Sequence, residues 1–177
     1  MNKDELKEIL ACDKKTLLDN LSVIGQMKLC LRRHPAWLRW KYVKSMRLSV
    51  ESHSFFLRKI YGCKYLRLGI KLNYEISPVA KIGKGLMIYH NGPIVINPNV
   101  VAGENLVLHG DNCIGNSGKD QKCPVIGNNV ELGYGAKIIG DVHIGNNICI
   151  GAGAVVVNDF IEDGITIVGV PARKITG

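Results

Sequence analysis

Along the first 72 residues, apolar side chains recur three and four positions apart: Leu6, Ile9 and Leu10, then Leu17, Leu18, Leu21 and Ile24. That is the spacing of one helix face, so residues 3–72 read as helical. Pro35 opens a new helix through Trp37, Trp40 and Val43, because the N–H it lacks has no partner in a first turn anyway. Another helical stretch is expected over residues 47–60, with Leu48, Phe55, Phe56 and Ile60. From Ile76 the period becomes six. Ile76, Ile82, Ile88 and Ile94 form one set and Ile96, Ala102, Leu108 and Ile114 a second. The second phase resumes at Ile126, Leu132, Ile138, Ile144, Ile150 and Val156. Glycine follows the periodic residue at 83, 103, 115, 127, 133, 145 and 151, and a small or branched residue precedes the next strand, as at Val79, Val100, Val130, Ala136, Val142 and Ala154. Six residues make one short strand and one turn, and three such units close a triangular coil whose aliphatic residues stack inside. The chain is therefore expected to be mainly β: an α-helical N-terminal domain, residues 1–74, followed by a parallel β-solenoid, residues 75–177.

Two interruptions break the six-residue frame. It slips by two residues beside His90-Asn91-Gly92-Pro93. The stretch from Gly115 to Pro124 has no aliphatic residue at 120 and reads as a loop leaving the solenoid. Loops held on rigid scaffolds are where function concentrates.

Composition sharpens the division. Sixteen of the 20 glycines lie between 83 and 169, where tight turns are needed. The net charge of +8 is unevenly distributed: residues 1–74 hold 16 Lys and Arg against 6 Asp and Glu, whereas residues 75–177 hold 7 against 9. The basic half is a solvated helical face or a surface for anions. Arg32, Arg33, Arg39, Lys41, Lys44 and Arg47 with two tryptophans look like an interfacial helix, which suggests peripheral membrane contact. No nucleic-acid motif is present. There is no apolar run long enough to span a bilayer and no signal-peptide pattern, so a cytoplasmic location is expected, with the inner face of a membrane as the place of any peripheral contact. The six cysteines form no C-x-x-C pair and read as free thiols.

His90 is the main candidate for chemistry. An imidazole can take the proton of a hydroxyl as it attacks an ester or thioester. Cys123 would need an activating base to act as a nucleophile, and none lies near it in sequence. His109 and His143 raise a metal site, but their spacing does not make ligands converge, and no metal is expected.

The stretch from Ile76 to His90, the stretch from Gly92 to Asn99, the runs Gly133–Gly140 and Ile150–Val156, and the closing Val168–Lys174 together resemble the left-handed β-helix acyltransferases. The likeness is to serine acetyltransferase and its relatives in surface-polysaccharide clusters. This resemblance implies a left-handed parallel β-helix, a homotrimer with active sites between subunits, and acetyl-CoA as co-substrate. It also implies His90 as the general base of a direct transfer without an acyl-enzyme. Matching the family's motifs onto this chain puts Tyr89 where an acceptor-binding aspartate precedes the histidine. His34, in Arg33-His34-Pro35-Ala36, stands in place of a second acid, and Lys122 and Cys123 stand where the family has an Arg-His pair. Gly135, Ala136, Gly153 and Ala154 would let pantetheine approach the backbone, and Arg173 and Lys174 would meet the nucleotide phosphates. Losing both acids disfavours an ammonium-bearing acceptor. The expected acceptor is therefore a sugar hydroxyl of a surface polysaccharide or its precursor, with L-serine the alternative. The family's cysteine-synthase-binding tail has no counterpart in Ile175-Thr176-Gly177, so a cysteine synthase partner is not expected. A carbonic-anhydrase-like metal solenoid and a non-enzymatic structural solenoid are the readings of a different class.

Overall fold

The computed structural model describes residues 2–18, 21–32 and 34–175; Arg33, Thr176 and Gly177, used above, lie outside the described residues. Four helices come first: α1 (Lys3–Leu17), α2 (Val23–Leu31), α3 (Pro35–Glu51) and α4 (Phe55–Leu72). Local chemistry sets their ends. The Asn2 side chain accepts from the Glu5 amide and the Glu5 carboxylate accepts from the Asn2 amide, the reciprocal cap of two orphan donors. The stretch 47–60, expected as one helix, is two. Ser52 is extended and the Ser54 hydroxyl accepts from the Leu57 amide, so a new N-terminus forms where apolar spacing alone reads as continuous.

The chain then winds into five coils. Their strands are β1 (Tyr74–Ile76), β2 (Lys81–Ile82) and β3 (Met87–Ile88); β4 (Ile94–Ile96), β5 (Val101–Ala102) and β6 (Val107–Leu108); β7 (Asn112–Gly115), β8 (Val125–Ile126) and β9 (Glu131–Leu132); β10 (Lys137–Ile139), β11 (His143–Ile144) and β12 (Cys149–Ile150); then β13 (Val155–Val156) and β14 (Thr166–Val168). They stack in parallel as three sheets, β1-β4-β7-β10-β13, β2-β5-β8-β11 and β3-β6-β9-β12-β14, and β15 (Arg173–Lys174) closes the third antiparallel to β14. Register aligns Ile76, Ile96, Ile114, Ile138 and Val156 in one column, and all five are buried. The two-residue slip is accommodated at the His90 corner, where Ile94 pairs with Tyr74 while Ile96 keeps the column. Corner residues Leu86, Val100, Leu106, Val130, Ala136, Val142, Ile148 and Ala154 fill the interior, whereas Val79 is 58% exposed and does not belong to that set.

The edge between the second and third sheets is tied by asparagines. Asn105, Asn129 and Asn147 all have φ near +55°, a conformation short polar side chains tolerate. The Asn105 amide nitrogen donates to Asn129 Oδ1 and that of Asn129 to Asn147 Oδ1, at 2.8 and 2.9 Å.

The helices close the open end of the solenoid at this same edge. The first coil has no preceding coil to pair with, and two buried side chains stand in for it. Asp13 Oδ1 accepts from the Gly85 and Leu86 amides at 2.8 and 3.1 Å, while the Arg47 guanidinium donates to the Ile82 and Gly83 carbonyls. Arg47 Nε lies 3.1 Å from Asp13 Oδ2. Burial pushes the Asp13 carboxyl up, against the pull of Arg47 and the two amides.

Candidate active site

The edge between the third and first sheets carries His90-Asn91-Gly92 in the first coil, His109-Gly110-Asp111 in the second, Gly133–Ala136 in the third and Gly151–Ala154 in the fourth. His90 and the small residues singled out from the sequence therefore line one edge of the prism, a relation that their separation along the chain conceals.

The backbone at His90 is held from several sides. The buried Tyr74 hydroxyl donates to the His90 carbonyl at 2.9 Å, and burial raises the pKa of that phenol against the pull of Arg39. Arg39, on α3, donates to Asn91 Oδ1 at 3.3 Å. The Gly92 amide donates to the Leu72 carbonyl, with φ of +145°. The His90 ring itself is exposed. A fixed backbone carrying an open imidazole suits a base that must meet a substrate proton.

Tyr89 is half-exposed and its ring centroid lies 4.7 Å from that of His109. His109 Nε2 donates to Glu131 Oε1 at 2.6 Å. The Tyr89 ring, 6.4 Å from that of His90, thus stands between the candidate base and an imidazole–carboxylate pair.

Tyr134 was missed from the sequence. A Cβ added to Gly110 (φ +127°) would lie 3.0 Å from its Cε2 and 3.5 Å from His90 Cβ, and one added to Gly92 would lie 3.9 Å from its hydroxyl. Two glycines thus make room for this ring beside the His90 corner. The available signal was an aromatic inside the Gly133-Tyr134-Gly135 run, where the repeat otherwise places small residues.

Gly135 (φ +76°) donates its amide to the Gly110 carbonyl, and Gly153 (φ +69°) donates to the Tyr134 carbonyl. A Cβ on Gly153 would meet nothing within 4 Å, so its backbone faces open space. The Ala136 and Ala154 side chains are fully buried and pack the core. Arg173 is exposed on β15. Lys174 holds both Glu162 oxygens at 2.6 and 2.7 Å.

The remaining candidates lie elsewhere. His34 caps α3, its Nδ1 accepting from the Ala36 amide at 3.3 Å. Lys122 and Cys123 belong to the loop between β7 and β8, at the edge between the first and second sheets, so one chain does not bring them to His90. Lys122 Nζ lies 2.6 Å from Asp141 Oδ2, and that pairing holds the lysine pKa up and the carboxyl pKa down. Cys123 is buried, and burial pushes its thiol up, away from the thiolate a nucleophile needs. Among the described residues no group of three or more His, Cys, Asp and Glu is placed to hold a metal ion.

Comparison with known proteins agrees with this architecture. Residues 123–158 match the family described as bacterial transferase hexapeptide (six repeats). A putative colanic acid biosynthesis acetyltransferase, WcaB, from Escherichia coli K12 is 46% identical over 101 residues, covering 56% of this chain and 62% of that protein. A serine acetyltransferase of Synechocystis is 36% identical over 170 residues, covering 87% of this chain and 66% of that protein. The chain thus spans slightly under two thirds of these relatives' length. The solved structure of soybean serine acetyltransferase apoenzyme aligns with a TM-score of 0.75 at 27% identity, covering 98% of this chain and 70% of that one.

Proposed function

We propose that the chain is an O-acetyltransferase using acetyl-CoA, a reading supported by the hexapeptide-transferase match over residues 123–158 and by the likeness to serine acetyltransferases. Residues 1–74 form the domain that seals the solenoid, and residues 75–177 carry the transfer. The observation that bears most weight is the shared edge: an exposed imidazole at His90, with the open backbone of Gly153 and the left-handed turn at Gly135 on the same line of corners. Pantetheine lies against those glycines, with Arg173 meeting the phosphates. The acceptor oxygen attacks the thioester carbonyl while His90 takes its proton. The tetrahedral intermediate collapses, the C–S bond breaks and CoA leaves, with the proton on His90 available to the sulfur. No acyl-enzyme forms.

The acceptor is a sugar hydroxyl of a surface polysaccharide or its precursor. Support comes from the likeness to WcaB and from the chemistry at Tyr89, whose ring can pack against a sugar face. Glu131, the carboxylate nearest that ring pair, is already bonded to His109. The active unit is a homotrimer. On the outer face of the first sheet, Val95, Cys113 and Val155 share one column with Glu75 and Lys137, and that mixed column is the proposed contact. A neighbour's loop 116–124 would then bring Lys122 to the acceptor.

The test is CoA release from acetyl-CoA with nucleotide sugars, glycan fragments and L-serine offered separately. Release with a sugar and not with serine is expected. Release with serine alone would overturn the acceptor assignment, and neither release nor CoA binding would favour a structural solenoid.

A further inference from the structure

The interfacial helix expected from the sequence is not the surface that forms. Trp40 is 6% exposed, in the core, and Arg47 is buried against Asp13. The structure instead opens a cavity of about 660 Å³ between α3 and α4, lined by Leu38, Ile60 and Leu68 with Lys41, Lys59, Lys64 and Arg67 around them, and Cys63 on its wall. We propose that this basic, apolar groove binds anionic phospholipid and docks the protein on a negatively charged membrane surface.

Two independent observations converge on that ligand. The first is unanswered charge. No acidic side chain lines the groove, and no ion pair reaches its four cations among the described residues. Instead the ammonium groups of Lys41, Lys59 and Lys64 rest 5.4–5.7 Å from the rings of Trp37, Phe55 and Tyr61. Lys64 is held below its usual pKa by burial and by repulsion from Lys41 and Lys44, as expected of positive charge gathered without a counter-ion. The second is apolar surface beside that charge. Phe55 and Phe56 are each 71% exposed, Leu57 43% and Ile60 46%, all on the first turns of α4. Exposed phenylalanines next to unpaired lysines are what a headgroup–acyl boundary receives: cations on the phosphates, rings among the chains. No described helix is long and apolar enough to cross a bilayer. A second copy of this chain fits the groove less well, because its basic helices would face the same charge.

The test is co-sedimentation of the full chain with vesicles of phosphatidylcholine, with and without phosphatidylglycerol. Binding is expected only where phosphatidylglycerol is present, and added salt should weaken it. The Lys41→Ala/Lys64→Ala/Arg67→Ala variant should bind about a hundredfold more weakly, at roughly one headgroup interaction lost per charge. Phe56→Ser should weaken binding with no change in charge. Both variants should keep the wild-type circular dichroism, since Arg67 and Phe56 are exposed and Lys41 and Lys64 only half-buried. Equal binding to neutral vesicles, or undiminished binding by the triple variant, would overturn the proposal. So would a change of oligomeric state on the same substitutions, measured by sedimentation without lipid, because the groove would then be a protein interface. CoA release with soluble acceptors serves as a separate readout, so failure here leaves the transferase reading standing, and the reverse.

Discussion

At the scale of the residue, the account rests on what surrounds His90. The backbone is pinned by Tyr74, Asn91 and Gly92 while the ring is exposed. His90→Ala therefore removes chemistry without removing structure: turnover is expected to fall by about 10²–10⁴, with the thermal midpoint within a degree or two of wild type. Tyr134 makes a different prediction. Its ring occupies the space left by Gly110 and Gly92, so Tyr134→Ala should loosen the His90 corner, and steady-state kinetics should show kcat/KM reduced with CoA affinity largely kept. His90 was legible because it ends a motif-bearing strand. Tyr134 was not, because only the stacking of coils places a residue 44 positions away beside it. The same logic separates Lys122 and Cys123 from His90 within one chain: they stand on another edge of the prism, so only the proposed neighbouring subunit would bring them to it.

At the scale of the element, the first coil poses the sharpest problem. Its backbone groups at Ile82, Gly83, Gly85 and Leu86 have no earlier coil to bond, and Asp13 and Arg47 meet them from α1 and α3. Removing one member leaves a buried charge and unpaired amides, which costs about 3–5 kcal/mol. Asp13→Ala should therefore show a much lower urea midpoint, and an unchanged midpoint would refute the capping role. This device was invisible in the sequence, since both residues read as ordinary polar positions of basic or amphipathic helices, and 34 residues separate them. The asparagine ladder was half legible. The crowding of asparagines marked turns, but their mutual hydrogen bonds follow from register. Asn129→Ala loses two of those bonds and the residue type that tolerates φ of +55°, and should cost about 1–3 kcal/mol.

At the scale of the whole molecule, the period of six gave most of the architecture in advance: the strands of the repeat through β13, the inner column and the two interruptions fall where spacing put them, whereas the frame slips again after Val156 and β14, with Ile167 opposite Ile150, lies outside it. Helix packing and the basic groove did not follow from spacing, because which face of α3 is buried depends on what α1 and the first coil require of Arg47. Stability should be distributed along the column. Ile138, fully buried between Ile114 and Val156 in register, should cost about 2–5 kcal/mol when cut to alanine, read by the same urea titration. The proposed assembly is equally open to a single observation: sedimentation should give a trimer, and a monomer would remove the neighbour's loop 116–124 from the site.

The most direct measurement is the initial rate of CoA release from acetyl-CoA by the purified wild type and by His90→Ala, with the acceptor panel saturating and CoA binding followed by calorimetry. The account predicts acceptor-dependent release by the wild type, a loss of about 10²–10⁴ in the variant and CoA affinity retained in both. Equal rates from the two proteins would contradict the assignment of His90, and with it the chemistry proposed for this edge.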